Sequence, residues 1–140
     1  MMTDRTDTRG QKTVLIVEDH APLRRVMRAF LQGAFPDCRF REAADGAGAL
    51  EACNVHRPQL VLMDICLPDA NGIELTARLK ILYPGIQVVV VSLKSDEIYV
   101  QQALAAGARA YVCKVHMVTD LIPVVAAAIG VAPAADRETS

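Results

Sequence analysis

Four points in the sequence place a charged or hydroxyl side chain directly after an apolar run. They are Glu18-Asp19 after "TVLIV", Asp64 after "LVLM", Ser92 after "QVVVV" and Lys114 after "AYVC". A carboxylate at the end of a buried strand is costly unless something there uses it. Carboxylates gathered about 5 Å apart, at an effective dielectric near 20, repel by roughly 3 kcal/mol per pair. A divalent cation removes that cost, and an all-oxygen ligand set suits Mg²⁺ or Mn²⁺ rather than zinc. Lys114 is a point charge able to pair with a carboxylate and then with a phosphoryl oxygen. Ser92 adds a hydroxyl donor. A carboxylate nucleophile, a metal and donors around the equatorial oxygens are what phosphoryl transfer requires.

The elements that must position these residues follow from periodicity. "TVLIVE", "IQVVVVS" and "LVLM" are apolar on both faces and predict buried parallel strands. "CRFREA" and "AYVC" predict two shorter strands. Between them lie helical patterns. The first is "APLRRVMRAFLQG", with Leu23, Val26, Met27, Phe30 and Leu31 in its apolar stripe, Pro22 in its first turn and Gly33 as its stop. Asp19 is a candidate cap for it. "DGAGALEACNVHR" predicts a small-residue helix capped by Asp45. "NGIELTARLKILY" predicts a helix ended by Pro84-Gly85. "SDEIYVQQALAAG" predicts another, opened near Ser95 and closed by Gly107. The last helix is expected from about Asp120, which would put Pro123 in its first turn, where no helical N–H is lost. Gly130 would end it. Residues 1–12 read as a flexible arm, 13–130 as one domain and 131–140 as a flexible tail.

Strands and helices alternate strictly, which predicts an α/β domain with a parallel sheet covered by helices on both faces. In such sheets the working crevice lies beyond the carboxyl ends of the strands, where all the charged residues above would meet. At 140 residues the chain is the size of one domain, and 52% of it is apolar. A net charge of −1 gives no general attraction to nucleic acid or membrane. No apolar run approaches the length of a membrane span, and the charged start is unlike a signal peptide. Neither a basic stripe nor a helix-turn-helix pattern follows Gly130, which argues against nucleic-acid binding. Cys38, Cys53, Cys66 and Cys113 show no C-x-x-C pairing and read as reduced thiols of a cytoplasmic protein. His20, His56 and His116 have no zinc-ligand spacing with them, and His20 and His116 read as surface residues near the crevice.

The acid pair "ED" after "VLIV", the D-x-x-L-P-x-x-x-G pattern starting at Asp64, Ser92 after "VVVV" and the "YVCK" ending at Lys114 together resemble the response-regulator receiver domain. The resemblance runs from about Thr13 to Gly130. The stretch "EIYVQQALAAGARAYVCK" looks most like receivers of the NarL/FixJ type. The resemblance implies a CheY-like, flavodoxin-like (βα)5 fold with strand order 2-1-3-4-5. It implies a phosphoacceptor, Asp64, serving a sensor histidine kinase or phosphotransfer protein rather than acting as a conventional enzyme. Asp19 would bind Mg²⁺ directly, with Glu18, Asp64 and the backbone carbonyl of Cys66 completing the protein's share of the shell. Lys114 and Ser92 would contact the phosphoryl group, and Ser92 and Tyr111 would switch together. Helix four, strand five and helix five would form the output surface, with a second copy of the chain as a candidate partner. Gly72 matches the glycine of the acceptor loop. The sequence departs from the pattern at Leu93, where the family often has a small residue, so access to Asp64 is expected to narrow. It departs again at Val115, where a proline is common.

Other functions fit less well. A Mg²⁺-dependent phosphohydrolase would need a lid and a second aspartate two residues after Asp64, where Cys66 stands. A flavodoxin-like nucleotide binder would want a phosphate loop where "EDHAPL" is acidic. A degenerate receiver used only for docking would not need all five crevice positions, and all are present.

Overall fold

The computed structural model describes residues 11–135. Five strands, β1 (Thr13–Val17), β2 (Arg39–Ala43), β3 (Leu60–Met63), β4 (Gln87–Ser92) and β5 (Ala110–Cys113), form one parallel sheet in the order β2-β1-β3-β4-β5. The α-helices are α1 (Ala21–Ala34), α2 (Gly46–His56), α3 (Gly72–Leu82), α4 (Glu97–Ala105) and α5 (Met117–Ile129). No helix among the described residues is long and apolar enough to cross a membrane. The expected arm and tail fall outside the described residues except for 11–12 and 131–135. Gln11 donates to the carbonyl of Asp37 at 3.3 Å, and the Lys12 carbonyl accepts from the Arg39 amide at 2.8 Å.

Strand alternation divides the core. Val14, Ile16, Leu60, Leu62, Val89, Val91 and Val112 pack with Met27 and Leu31 of α1 and Leu121, Val125 and Ile129 of α5. Leu15, Val17, Val61, Met63 and Val88 face the other way, onto Ala49 and Cys53 of α2 and Leu75 and Leu79 of α3. Val90, Ile65, Ile73 and Ala103 extend that second layer beneath α4. Burying both faces is what a strand such as "VVVV" requires, and it fixes which end of the sheet is left for polar residues.

The helix ends differ from the expectations in instructive ways. His20, not Asp19, caps α1: its Nδ1 accepts from the Leu23 amide at 3.4 Å. Gly33 lies inside α1, which runs one residue further to Ala34. Val26 stands outside the apolar stripe and is exposed. Asp45 caps α2 as expected, accepting from the Gly48 amide at 2.7 Å. Asp96 rather than Ser95 occupies the cap position of α4. Gly107, at φ +109°, closes that helix with a conformation that disfavours side chains. The last helix starts earlier than expected. A short 3₁₀ turn, Lys114–His116, leads straight into α5 at Met117, so Pro123 falls well inside the helix. Leu121 and Val125 of α5 are buried while Pro123 is exposed, so the carbonyl that loses its helical partner lies on the solvent side.

Candidate functional site

The strand register builds the crevice. Val17 pairs with Met63, so the next residues, Glu18 and Asp64, emerge side by side. The Asp64 amide donates to the Val17 carbonyl at 3.2 Å, and the Glu18 amide to the Ala43 carbonyl at 3.0 Å. Ser92 pairs with Cys113, which places Lys114 one step beyond the same edge. Glu18, Asp64 and Lys114 are thus each the first residue past an apolar strand interior, and Ser92 is the last residue of its strand.

Lys114 crosses the crevice. Its Nζ lies 2.7 Å from Glu18 Oε1 and 3.2 Å from Asp64 Oδ2. The other Glu18 oxygen accepts the His20 amide at 3.1 Å. The Arg24 guanidinium donates to the Glu18 carbonyl at 2.7 Å, which ties α1 to the end of β1. Glu18 and Asp64 are buried, whereas Asp19 is exposed, and carboxylate oxygens of all three lie within 4.8 Å of one another. Burial pushes the Asp64 carboxyl above its ordinary range. The Lys114 charge opposes this rise and the Glu18 charge adds to it. For Lys114, burial works against the charged form, but its bonds to Glu18 and the field of Asp64 prevail and raise its pKa. One lysine therefore serves two buried acids, and a third acid stands beside them in solvent. A surplus of oxygen donors of this kind, with an open side at Asp19, fits a hard divalent cation.

The loop after Asp64 is tight. The Gly72 amide donates to the Ile65 carbonyl at 2.7 Å, and Cys66 and Asn71 form a β-bridge across the loop. A Cβ added at Gly72 would lie 1.9 Å from the Asp64 carbonyl oxygen, so no side chain fits there. Asn71 Oδ1 then caps α3 by accepting the Ile73 and Glu74 amides at 2.8 and 3.2 Å. At the loop tip, Asp69 accepts the amides of Gly46 and Ala47, the first residues of α2, at 2.7 and 3.0 Å. Asp69 was not among the residues expected to matter. The D-x-x-L-P-x-x-x-G pattern signalled a loop after Asp64 but not the helix end that the loop would meet.

Across the crevice, Ser92 is buried and its Oγ accepts the Lys94 amide at 3.1 Å. The Tyr111 hydroxyl donates to the Lys94 carbonyl, and the Lys94 ammonium lies 5.2 Å from the Tyr99 ring centroid. Ser92 and Tyr111 thus hold the same residue of the β4–α4 loop from two sides. Leu93, the residue expected to narrow access to Asp64, is 68% exposed. No cis peptide bond occurs among the described residues, Val115 included. Cys66 is exposed, Cys113 half-buried, and Cys38 and Cys53 are buried.

Comparison with known proteins agrees with this arrangement. The family model described as "Response regulator receiver domain" matches residues 14–126. The chain is 34% identical over 101 residues to the transcriptional regulatory protein DegU of Brevibacillus brevis, covering 72% of this chain and 43% of that protein. It is 33% identical over 129 residues to the transcriptional regulatory protein PdtaR of Mycobacterium tuberculosis, covering 91% of this chain and 61% of that protein. The chain therefore spans about half the length of these curated relatives. Among solved structures, a CheY-like receiver domain protein from Methanospirillum hungatei superposes with a TM-score of 0.79 at 27% identity, over 86% of this chain and 95% of that one. Matched span, strand order and fold together show that this chain belongs to the response regulator receiver domain family of two-component signalling.

Proposed function

We propose that Asp64 accepts a phosphoryl group from a sensor histidine kinase or phosphotransfer protein. The observation that carries this reading is the shared lysine: Lys114 Nζ sits 2.7 Å from Glu18 and 3.2 Å from Asp64, in a crevice with one more carboxylate than it can satisfy. Asp19, Glu18, Asp64 and the Cys66 carbonyl are the ligands for Mg²⁺, with Mn²⁺ as a substitute. When bound, Mg²⁺ neutralises the acids and the incoming phosphoryl oxygens. An Asp64 carboxylate oxygen forms the new O–P bond as the N–P bond of a phosphohistidine breaks, and the departing imidazole nitrogen takes a proton. Lys114 exchanges part of its contact with Asp64 for a phosphoryl oxygen. Ser92 turns its hydroxyl from the Lys94 amide toward the same group.

The output follows from Ser92. A hydrogen bond to a charged phosphoryl oxygen is worth about 1.5–3 kcal/mol, or about a ten- to hundredfold shift between two states. Because Ser92 and Tyr111 both hold Lys94, a change at Ser92 is felt at β5 and α4. The face formed by α4, β5 and α5 is the surface a partner reads, and a second copy of this chain is a candidate. The protein works in the cytoplasm, where histidine kinases present their phosphohistidine.

The test is acyl-phosphate formation with a small phosphodonor and Mg²⁺, read as hydroxylamine-labile label. Labelling of Asp64→Asn equal to wild type would overturn the assignment. A wild-type chain that never labels, yet still binds a kinase, would favour a docking module instead. Amide exchange with and without beryllofluoride tests the output face. Changes restricted to loops at Asp64, with none across residues 95–129, would remove it.

A further inference from the structure

We propose that Asp69 is a positioning residue for cation binding: it pins the acceptor loop to the start of α2 and so holds the Cys66 backbone in place. The inference rests on the reading of the crevice as a Mg²⁺ site. The loop from Ile65 to Asn71 is closed at its base by the Cys66–Asn71 bridge, whose two bonds are Gly72 amide to Ile65 carbonyl at 2.7 Å and Leu67 amide to Ala70 carbonyl at 3.3 Å. Ile65 is buried and Leu67 packs against the core beside α2 and α3, but Pro68 and Asp69 at the tip are exposed, so packing does not fix the tip. Asp69 supplies the missing constraint. Its two oxygens take separate amides, Gly46 at 2.7 Å and Ala47 at 3.0 Å. Those amides belong to the first turn of a helix, where no intrahelical acceptor exists and a negative charge is favoured. The approach is close because residue 46 is glycine. A Cβ there would lie 2.9 Å from the Ala70 Cβ and 3.1 Å from Asp69 Oδ1. The bonds from Gly46 and Ala47 hold the Asp69 carboxyl below its ordinary range, so it is ionised across the neutral range and the clamp is closed.

The helix does not need Asp69 for its cap. Asp45 already accepts the Gly48 amide at 2.7 Å and is the N-cap residue. This separates two roles that would otherwise be confounded. Asp45 stabilises α2 alone, whereas Asp69 joins α2 to the loop that follows the phosphoacceptor. Both are acids on neighbouring loops, so removing either deletes one negative charge. Only Asp69 constrains the backbone between Asp64 and Gly72.

The experiment compares Asp69→Asn, Asp69→Ala and Asp45→Asn with wild type by Mg²⁺ titration, following amide resonances in NMR. Thermal melts and acyl-phosphate formation at rising Mg²⁺ are run on the same samples. The expected result is about a tenfold weaker Mg²⁺ affinity for Asp69→Ala, the size seen when a group supporting a metal ligand is removed. Asp69→Asn keeps one acceptor oxygen and falls between. Saturating Mg²⁺ restores labelling of both variants, and the effect survives raised salt. Asp45→Asn removes the same charge but keeps an oxygen to cap α2, so it keeps nearly wild-type thermal stability and wild-type Mg²⁺ affinity. Equal affinity in Asp69→Ala and wild type, or an equal loss in Asp45→Asn, overturns the inference. A wild type with no Mg²⁺ affinity overturns the functional reading first, and this inference with it.

Discussion

Two clusters of charge in this fold invert each other's stoichiometry. Beside β2, two cations share one acid: Arg24 Nε and Arg28 Nη1 each lie 2.8 Å from an oxygen of Glu42. In the crevice, two acids share one cation, with Lys114 Nζ between Glu18 and Asp64. The titration directions follow. Hydrogen bonds from Arg28 and Arg24 hold the Glu42 carboxyl below its ordinary range. Burial, reinforced by Glu18, holds the Asp64 carboxyl above it despite Lys114. The Glu42 cluster has a cation to spare, but its Arg28 side chain is half-exposed and water solvates the excess. The crevice is one cation short, and its acids are buried where that shortage is felt. The proposed function lies in the cluster whose imbalance is buried.

The strongest way to break the contrast is chemical. Asp64→Asn should abolish hydroxylamine-labile labelling, while Glu42→Gln should label at the wild-type rate. In the same melts Asp64→Asn should gain about 1 kcal/mol, because an ionised carboxylate held at a raised pKa costs stability at neutral pH. Next in size is the removal of the shared cation. Lys114→Met leaves two buried acids unpaired and should lose about 3 kcal/mol in chelator, still melting cooperatively. Arg28→Met, at a more exposed pair, should lose under about 1 kcal/mol. Urea denaturation measures both. Equal losses would mean that the crevice lysine is only a surface partner.

Mg²⁺ should then stabilise wild type by about 2.7 kcal/mol at a hundredfold excess over its Kd. Asp19→Asn should forfeit most of that gain and Glu42→Gln none of it, as read by melting with and without chelator. The smallest effect is in pH dependence without metal. The folded pKa of Asp64 is raised, so its contribution is complete at acid pH and is lost as pH rises through that value. The folded pKa of Glu42 is lowered, so its contribution is present at neutral pH and is lost as pH falls through that value. Acidification from pH 7 should therefore shrink the advantage of Asp64→Asn over wild type well before it shrinks the deficit of Glu42→Gln. Each change should be about 1 kcal/mol or less.

The strands and the crevice were legible in the residues for one reason, whereas the strand order came only from the family resemblance. A parallel strand buried on both faces must be apolar throughout, so the first charged residue after it marks the sheet's edge. Glu18, Asp64 and Lys114 are marked in this way, and Ser92 is marked by its hydroxyl. Helix ends were less legible because several side chains compete for each. Asp19 and His20 both suit the α1 cap, and the backbone path chose His20. Pro123 suggested a late start for α5, yet the 3₁₀ turn at Lys114 carries the chain into helix at once, and burial of Leu121 and Val125 outweighs the bond that proline removes. The Glu42 pair and the Asp69 clamp were not legible at all. Their partners lie 14 to 23 residues away, and no local pattern encodes which helix end a loop tip will meet.

The uneven exposure of the four thiols makes the protein its own labelling scaffold. Cys38 and Cys53 are buried, and burial pushes the Cys53 thiol up to about 11, so it stays neutral and shielded from alkylation. Cys66 is exposed and lies two residues beyond Asp64. A fluorinated alkylating reagent used briefly at neutral pH should therefore mark Cys66 first. That would set a single ¹⁹F reporter beside the phosphoacceptor without introducing or deleting a cysteine.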